Sequence, residues 1–226
     1  MICLQGGNEF SPGCRTMDTD LLRAAGGGPV VVTALAGAQG HEYRTAGENG
    51  VRHFRALGAG DASVAPDVRE DPEGALDALR RARLLVLPGG SPSRLLDVLQ
   101  STAVGALVAD AVADGVVVMG SSAGAMVVCA WTVLPDRRGP RGPAVVRGLG
   151  LVPGLAVVPH WSGGSSRGDW LRAVDEAVPS GVQVVGLPEE SGVLVQDGEL
   201  TAVGRAPAAL VTDGRELPVG QSWRSA

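Results

Sequence analysis

Two adjacent serines end an apolar run and begin a series of small residues in VVVMGSSAGAMVVC (116–129). A strand that turns sharply into a helix forces its corner residue into a strained conformation, and the residues two positions away on either side must then be small. Ser122 meets this requirement with Gly120 and Gly124, whereas Ser121 would place a methionine at one of the crowded positions. The spacing therefore predicts that Ser122 is an exposed nucleophile at the start of a helix.

Amide groups near this serine could stabilise a developing oxyanion. A helix N-terminus offers unpaired N–H groups, and the Ala123 amide is the first of them. The segment LPGGSP ends another apolar run in Gly89 and Gly90, and glycine lets the backbone approach a substrate closely. We expect Gly90 to supply the second oxyanion donor and Gly89 to contact the substrate. The same small residues would also suit close strand–helix packing, or an anion site without catalysis.

A serine hydroxyl needs a general base to attack at neutral pH, and the chain has three histidines. His160 follows the apolar run of GLAVVPHW, so it is predicted to lie at a strand end, followed by Trp161. His41 and His53 lie in a predicted helix, pointing roughly a third of a turn apart. We interpret those two as surface or half-buried helix residues and His160 as the candidate base.

A carboxylate is expected to orient the imidazole of such a base. Glu189 and Glu190 follow a late apolar run, and would emerge at the same sheet edge as His160 if their strand is parallel. Asp136, soon after the predicted nucleophile helix, is the alternative. The residues favour Glu189 and leave the other two open.

The elements that must position these residues alternate between short apolar runs and helix-length segments. Val- and Leu-rich runs without polar alternation are typical of strands buried on both faces of a parallel sheet. We therefore predict an α/β fold, a doubly wound and mostly parallel sheet flanked by helices, with a C-terminal β-hairpin turning at QDG. Residues 1–226 are predicted to form a single domain, with a loop over 135–150 and a frayed tail from 216 onward.

Composition excludes several classes of function. The 226 residues are 45% hydrophobic and 19% charged with a net charge of −5, which is typical of a globular protein without a basic nucleic-acid surface. No apolar run approaches the ~18 residues that span a membrane. All 19 basic residues are arginine, which excludes Schiff-base chemistry and a P-loop. We expect no metal or other cofactor, and a cytoplasmic location with reduced cysteines.

Four segments carry a resemblance to a known family. LPGGSPSRLLDVL, GSSAGAMVVC, GLGLVPGLAVVPHW and VGLPEESGVLV occur in the order seen in the peptidase E and cyanophycinase family of serine peptidases. The resemblance runs from LQGGNEF to VLVQDG and implies a class I glutamine amidotransferase-like fold. It also implies that Ser122 is the nucleophile, His160 the base, Glu189 the acid and Gly90 an oxyanion donor. Family members cleave aspartyl dipeptides or the aspartyl–arginine links of cyanophycin.

The expected activity is cleavage of a short peptide or amino-acyl amide through a Ser-His-acid triad and an acyl-enzyme. The loops GGNEFSPG and HWSGGSSRGD are predicted to line the substrate crevice, with Asn8, Glu9 and Trp161 as contacts and Asp136 as a further one. The family's substrate-binding arginine has no clean match, and Arg172 is the nearest candidate, with Arg167 behind it. Acyl transfer to an amine and a silent, metabolite-binding relative remain the alternatives. The sequence allows a homodimer.

Overall fold

The computed structural model describes residues 1–139 and 142–224. The described residues form seven α-helices, two short 3-10 helices and fourteen strands in two sheets. The α-helices are α1 (Arg15–Ala24), α2 (His41–Ala56), α3 (Pro72–Arg80), α4 (Pro92–Ser101), α5 (Val104–Ala113), α6 (Ala123–Val128) and α7 (Gly168–Ala177), and the 3-10 helices are Pro12–Cys14 and Gly164–Arg167. The strands are β1 (Ile2–Gln5), β2 (Val30–Val32), β3 (Ala62–Val64), β4 (Leu84–Leu87), β5 (Val117–Ser121), β6 (Cys129–Gly139), β7 (Gly142–Arg147), β8 (Val152–Pro159), β9 (Gln183–Leu187), β10 (Ser191–Gln196), β11 (Glu199–Gly204), β12 (Ala208–Leu210), β13 (Arg215–Leu217) and β14 (Ser222–Arg224).

The first sheet has the order β14-β11-β10-β1-β5-β4-β2-β3. Its strands β1, β5, β4, β2 and β3 pair in parallel, whereas β10, β11 and β14 add an antiparallel extension beside β1. The strands β10 and β11 form the hairpin expected at QDG, with Gln196 opposite Glu199. This part of the chain therefore has the α/β character that the sequence predicts, and its antiparallel portion extends beyond the predicted hairpin to pairings with β1 and β14.

A second sheet departs from the expectation of one sheet. Its order is β13-β12-β9-β8-β6-β7, in which β6, β8 and β9 are parallel and the outer strands are antiparallel. Helix α6 packs against both β5 of the first sheet and β8 of the second. The observed fold is thus mixed α/β with two sheets, and α6 lies where they meet.

The parallel strands of the first sheet are buried on both faces, as their unbroken apolar runs indicate. All four residues of β4 have no exposed surface. Leu85 and Leu87 belong to the core that includes α3, α4, α5 and α6, whereas Leu84 and Val86 belong to a second core under α1 and α2. Helices therefore cover both faces, and the strand ends are left to carry polar side chains.

The predicted loop over 135–150 is wrong over most of its length, because β6 continues to Gly139 and β7 occupies Gly142–Arg147; residues 148–150 have no regular structure, and residues 140–141 lie outside the described residues. The prolines and glycines of this segment are typical of a loop, and the prediction relied on them. The pairing of β6 with β7 shifts register between Leu134 and Arg138, so Pro135 falls in an irregular stretch. Pro143 lies on β7, an edge strand of the second sheet, where a missing N–H is tolerated.

Two further boundaries are those of the helix after Ser122 and of the C-terminal tail, which was predicted to be frayed. The helix after Ser122 ends at Val128, and Cys129 begins β6 rather than continuing the helix. The C-terminal tail is not frayed over its described residues, since β13 and β14 pair with β12 and β11. Leu217 of β13 is only 4% exposed, so burial of apolar side chains holds the tail in place.

Over the described residues, no single helix has both the length and the apolar character needed to cross a membrane; α4 and α5 satisfy the criterion only as a sharply bent pair, by length and composition.

Candidate active site

Ser122 occupies a strained corner between β5 and α6. Its φ of 48° and ψ of −107° are rarely adopted by a residue other than glycine, and its amide donates to the Gln5 carbonyl at 2.9 Å. A Cβ on Gly120 would lie 2.6 Å from the carbonyl carbon of Gly124, and a Cβ on Gly124 would collide with the Leu87 carbonyl oxygen. These contacts explain why glycine is needed at both positions.

The two adjacent serines differ in environment. Ser121 is fully buried, whereas Ser122 is partly exposed. The Ser122 hydroxyl Oγ lies 3.0 Å from His160 Nε2. On the other side of the imidazole, His160 Nδ1 lies 2.9 Å from Glu189 Oε1. A hydroxyl, an imidazole and a carboxylate are thus joined by two hydrogen bonds, an arrangement able to move a proton from the hydroxyl to the ring.

His160 and Glu189 come from neighbouring strands of the second sheet. Pro159 of β8 is opposite Leu187 of β9 in a parallel pairing, so the segments that follow both strands leave at the same sheet edge, as expected from the sequence. His160 has a left-handed φ of 51°. The side chains of His160 and Glu189 are 39% and 55% exposed, so both are accessible from solvent.

Backbone hydrogen bonds join this edge to the first sheet. The His160 amide donates to the Gly6 carbonyl at 2.8 Å, and the Glu190 amide donates to the Gly7 carbonyl at 3.0 Å. A Cβ on Gly7, whose φ is 126°, would collide with the imidazole of His160. The Gly6–Gly7 pair therefore lets the loop after β1 lie directly against the ring and fixes its position relative to Ser122.

The two other candidate carboxylates lie away from the imidazole. Glu190 accepts hydrogen bonds from Asn8, Ser11 and Arg205, at 3.2, 2.8 and 2.9 Å. The Ser11 hydrogen bond, aided by Arg205, lowers the pKa of the Glu190 carboxyl below its usual value. Of the three carboxylates that the sequence left open, the geometry pairs Glu189 with His160.

Asp136 lies in the irregular stretch of β6 and accepts hydrogen bonds from Ser93 and, at 3.1 Å, from Ser91. The Ser93 hydrogen bond is the main cause of a lowered pKa of the Asp136 carboxyl. The carboxylate opens onto a cleft of about 570 Å³ that also contains Arg94 and Arg137. Because Ser91 follows Gly90 directly, this cleft adjoins the glycine loop rather than the imidazole.

The glycine loop after β4 lies against the serine. A Cβ on Gly89 would be 3.2 Å from Ser122 Cβ. Gly90 has a φ of 141°, and a Cβ there would lie 2.8 Å from the Ala36 carbonyl oxygen. Ser91 then caps α4 by accepting from the Arg94 amide at 3.2 Å, and Pro92 follows at the first helical position.

The loop after β1 places its polar side chains in two directions. Asn8, with a φ of 54°, points to Glu190 as described above. Glu9 reaches the other way: Oε1 accepts from the Gly89 amide at 2.8 Å, and Oε2 accepts from the Ser121 hydroxyl at 2.9 Å. Sequence reasoning assigned Glu9 only to the crevice lining and missed these contacts with Ser121 and Gly89, for which the sequence carries no local signal.

Two other predicted substrate contacts, Trp161 and Arg172, have partners other than Ser122. Trp161 donates its amide to the Leu187 carbonyl, and its indole covers Gly186, where any Cβ would collide with it. The Arg172 guanidinium, on α7, is 60% exposed and pairs with Asp169. No contact among the described residues joins Arg172 to Ser122 or His160, and Arg167 lies against the Trp170 ring at 4.7 Å.

The remaining histidines lie apart from this site. His41 is exposed at the start of α2. His53 lies 2.8 Å from Asp18 through Nε2, with 8% of its side chain exposed. Burial raises the pKa of the Asp18 carboxyl, although its hydrogen bond with His53 opposes that shift. Both histidines are therefore helix residues away from Ser122, as interpreted from the sequence.

The corner geometry predicts a large effect of Gly124→Ala. The added methyl would meet the Leu87 carbonyl at the end of β4 and force α6 away from that strand, so we expect a loss of ~1–3 kcal/mol in unfolding free energy. Gly60→Ala is a matched control, because a Cβ there meets nothing within 4 Å. Urea unfolding of both variants checks the difference. Equal stability of the two would show that the corner is not sterically constrained.

Fold and site define a mixed α/β protein with a serine at a strained strand–helix corner, hydrogen-bonded to a histidine–carboxylate pair. The model of peptidase family S51 matches residues 35–203. The chain therefore belongs to peptidase family S51, and it is a serine peptidase of the peptidase E type. A comparison with curated protein sequences gave no significant match.

Solved structures share the fold. A peptidase from an acI-B1 actinobacterium superposes with a TM-score of 0.77 at 19% identity, covering 99% of this chain and 96% of that one. A protein from Listeria monocytogenes EGD-e assigned as peptidase E superposes with a TM-score of 0.66 at 17% identity, covering 91% of this chain and 98% of that one. At these identities the likeness supports the fold alone.

Proposed function

We propose that the protein hydrolyses a short peptide or an amino-acyl amide through a Ser122–His160–Glu189 triad and an acyl-enzyme. The observation that carries the proposal is the pair of hydrogen bonds at 3.0 Å and 2.9 Å that joins the three side chains in that order. Membership of a peptidase family supports cleavage of an amide bond as the reaction.

In the proposed reaction His160 Nε2 takes the proton of the Ser122 hydroxyl as Oγ attacks the carbonyl carbon of the substrate. Glu189 holds the imidazole through Nδ1 and stabilises its charged form. The tetrahedral intermediate collapses when the imidazolium gives its proton to the leaving amine. A water molecule, activated by the same imidazole, then hydrolyses the ester on Ser122 and restores the hydroxyl.

The oxyanion of the tetrahedral intermediate is proposed to bind the amides of Ala123 and Gly90. Ala123 is the first residue of α6, whose N-terminal amides lack partners within the helix. The glycine loop lies beside Ser122, as the close approach of Gly89 to Ser122 Cβ indicates. One donor would thus come from each side of the serine, as a developing negative charge requires.

The substrate is proposed to be small and to enter along the loops after β1 and β8. Asn8 and Trp161 lie on these loops, next in sequence to Gly7 and His160, while Asp136 lies in the cleft beyond the glycine loop. The pairing of Arg172 with Asp169 gives no support to Arg172 as a ligand for a substrate carboxylate. An aspartyl preference, which the family resemblance implies, therefore has to be tested directly.

A library of free dipeptides with Asp, isoAsp and neutral N-terminal residues tests the proposal. Mass spectrometry should detect cleavage by the wild-type protein and none by Ser122→Ala, and the N-terminal preference would define the substrate class. A parallel reaction with an added amine separates hydrolysis from acyl transfer by its products. Equal cleavage by the two proteins would contradict a role for Ser122, and ligand binding without turnover would favour a silent relative.

A further inference from the structure

Glu9 places a carboxylate close to the serine, where its negative charge is unfavourable to an oxyanion. A Cβ on Gly89 would lie 3.1 Å from Glu9 Oε1 and 3.2 Å from Ser122 Cβ, so the carboxylate and the nucleophile flank the same glycine. Like charges a few ångströms apart repel by several kcal/mol at an effective dielectric constant of ~20. We therefore expect the Glu9 carboxylate to have a role whose benefit offsets this repulsion.

The loop that carries Glu9 is firmly held on both sides. Asn8 and Phe10 have left-handed φ values of 54° and 65°, which are uncommon for such residues. The Phe10 ring packs against His53 and Phe54, with ring centroids 5.6 and 6.1 Å apart. On the preceding side, the Gly6 amide donates to the Ser191 carbonyl at 2.9 Å. These contacts hold the loop on both sides of Glu9.

The carboxylate joins two elements that are distant in sequence. Its Oε1 accepts from the Gly89 amide, 80 residues away, and its Oε2 accepts from the Ser121 hydroxyl, 112 residues away. Ser121 is fully buried and directly precedes the nucleophile. Glu9 therefore ties the glycine loop to the end of β5, and thereby sets the distance between the loop and Ser122.

This tie also determines which amide of the loop faces the substrate. The Gly89 N–H is engaged by Glu9, so it is not free to bind an oxyanion. On the other side of Gly90, the Ser91 amide donates to the Ala36 carbonyl at 3.0 Å. The amides before and after Gly90 are thus both held, which leaves the Gly90 amide between them as the donor of the loop.

We infer that Glu9 is a positioning residue that sets the glycine loop for oxyanion binding by holding Gly89 and Ser121 together. The inference rests on the proposed function. In this role Glu9 positions the loop and does not contact the substrate. The buried Ser121 hydroxyl is then the hydrogen-bond partner of Glu9, whereas Ser122 is the nucleophile.

Geometry and charge make opposite predictions for two conservative variants. In Glu9→Gln, the side-chain carbonyl can still accept from the Gly89 amide, and the NH₂ group can donate to the Ser121 hydroxyl, which accepts as readily as it donates. In Glu9→Asp, the charge is kept but the side chain is one methylene shorter and cannot reach both partners. A positioning role therefore favours Gln over Asp, whereas a role for the charge favours Asp over Gln.

The test uses labelling of the protein by an alkyl fluorophosphonate, which needs no knowledge of the substrate. Ser122 Oγ forms a bond to phosphorus, the P–F bond breaks, fluoride leaves, and the hydroxyl proton goes to His160. The phosphoryl oxygen takes the place of the oxyanion during this reaction. Second-order labelling rates are measured for the wild type, Ser122→Ala, Glu9→Ala, Glu9→Gln and Glu9→Asp, together with their thermal unfolding midpoints.

We expect Glu9→Ala and Glu9→Asp to label about 10²-fold more slowly than the wild type, since a misplacement of ~1 Å has an effect of this size. Glu9→Gln should stay within a few-fold of the wild type. If Glu9→Ala does not fold, the comparison between the labelling rates of Glu9→Gln and Glu9→Asp is sufficient to test the inference.

Labelling of Glu9→Ala at the wild-type rate, or faster labelling of Glu9→Asp than of Glu9→Gln, would overturn the inference while the proposed function stands. No labelling of the wild type, or equal labelling of Ser122→Ala, would overturn the proposed function and the inference with it.

Discussion

Ser122→Ala and His160→Ala should each lower kcat by at least ~10⁴-fold on the best dipeptide of the library, and the double variant should lose no more than either alone. The serine attacks only when the imidazole removes its proton, and without the serine hydroxyl the imidazole has no proton to remove. The residues therefore act as one unit, and their effects do not add. Steady-state and single-turnover rates with purified variants measure this.

Two matched controls separate this result from damage to the fold. Ser101→Ala changes an exposed serine at the end of α4, and His41→Ala changes an exposed histidine at the start of α2. Both should keep wild-type kcat. If His160→Ala were as active as His41→Ala, or if the double variant lost the product of the two single effects, the unit formed by Ser122 and His160 would be disproved.

Glu189→Gln should lower kcat by about 10³–10⁴-fold with little change in the unfolding free energy. The amide keeps the size of the side chain, but its neutral oxygen accepts a weaker hydrogen bond from the Nδ1–H than a carboxylate oxygen does, and the imidazolium loses its counter-charge. Since Glu189 is 55% exposed, the fold does not depend on its charge. The kcat of this variant is compared with that of two other carboxylate variants.

Glu190→Gln and Asp136→Asn are the comparison variants, because the sequence left these carboxylates as alternatives. The Glu190 carboxylate is held by Ser11 and Arg205, and that of Asp136 by Ser91 and Ser93, so neither touches the imidazole. We expect each to keep kcat within tenfold of the wild type. A larger loss in Asp136→Asn than in Glu189→Gln would reassign the acid.

The corner at Ser122 could be predicted from the sequence because its requirements are local. The choice between two adjacent serines depended only on which residues lie two positions away, and the structure meets that requirement with Gly120 and Gly124. The sequence also placed His160 and Glu189 at one edge, since the ends of parallel strands coincide. It favoured Glu189 but left Glu190 and Asp136 open, because that choice depends on side-chain direction after a strand end.

The second sheet and the hydrogen bonds that Glu9 makes across the site could not be predicted from the sequence. The contacts of Glu9 with Gly89 and Ser121 join residues 80 and 112 positions apart, and no spacing rule connects them. The antiparallel pairing of β6 with β7 was missed for a different reason. Prolines normally break strands, but an irregular stretch and an edge position accommodate Pro135 and Pro143 without loss of a needed donor.

The division of the site between two sheets has a consequence for the protein as it leaves the ribosome. Ser122 is synthesised at the end of the first sheet's central strand, 38 residues before His160, and Glu189 follows 29 residues after that. Until β8 and β9 have assembled, His160 and Glu189 do not lie beside the serine, and in the proposed mechanism its hydroxyl then lacks a base. By that mechanism a nascent or truncated chain is inactive, and hydrolytic competence arises only when the last third of the polypeptide has folded.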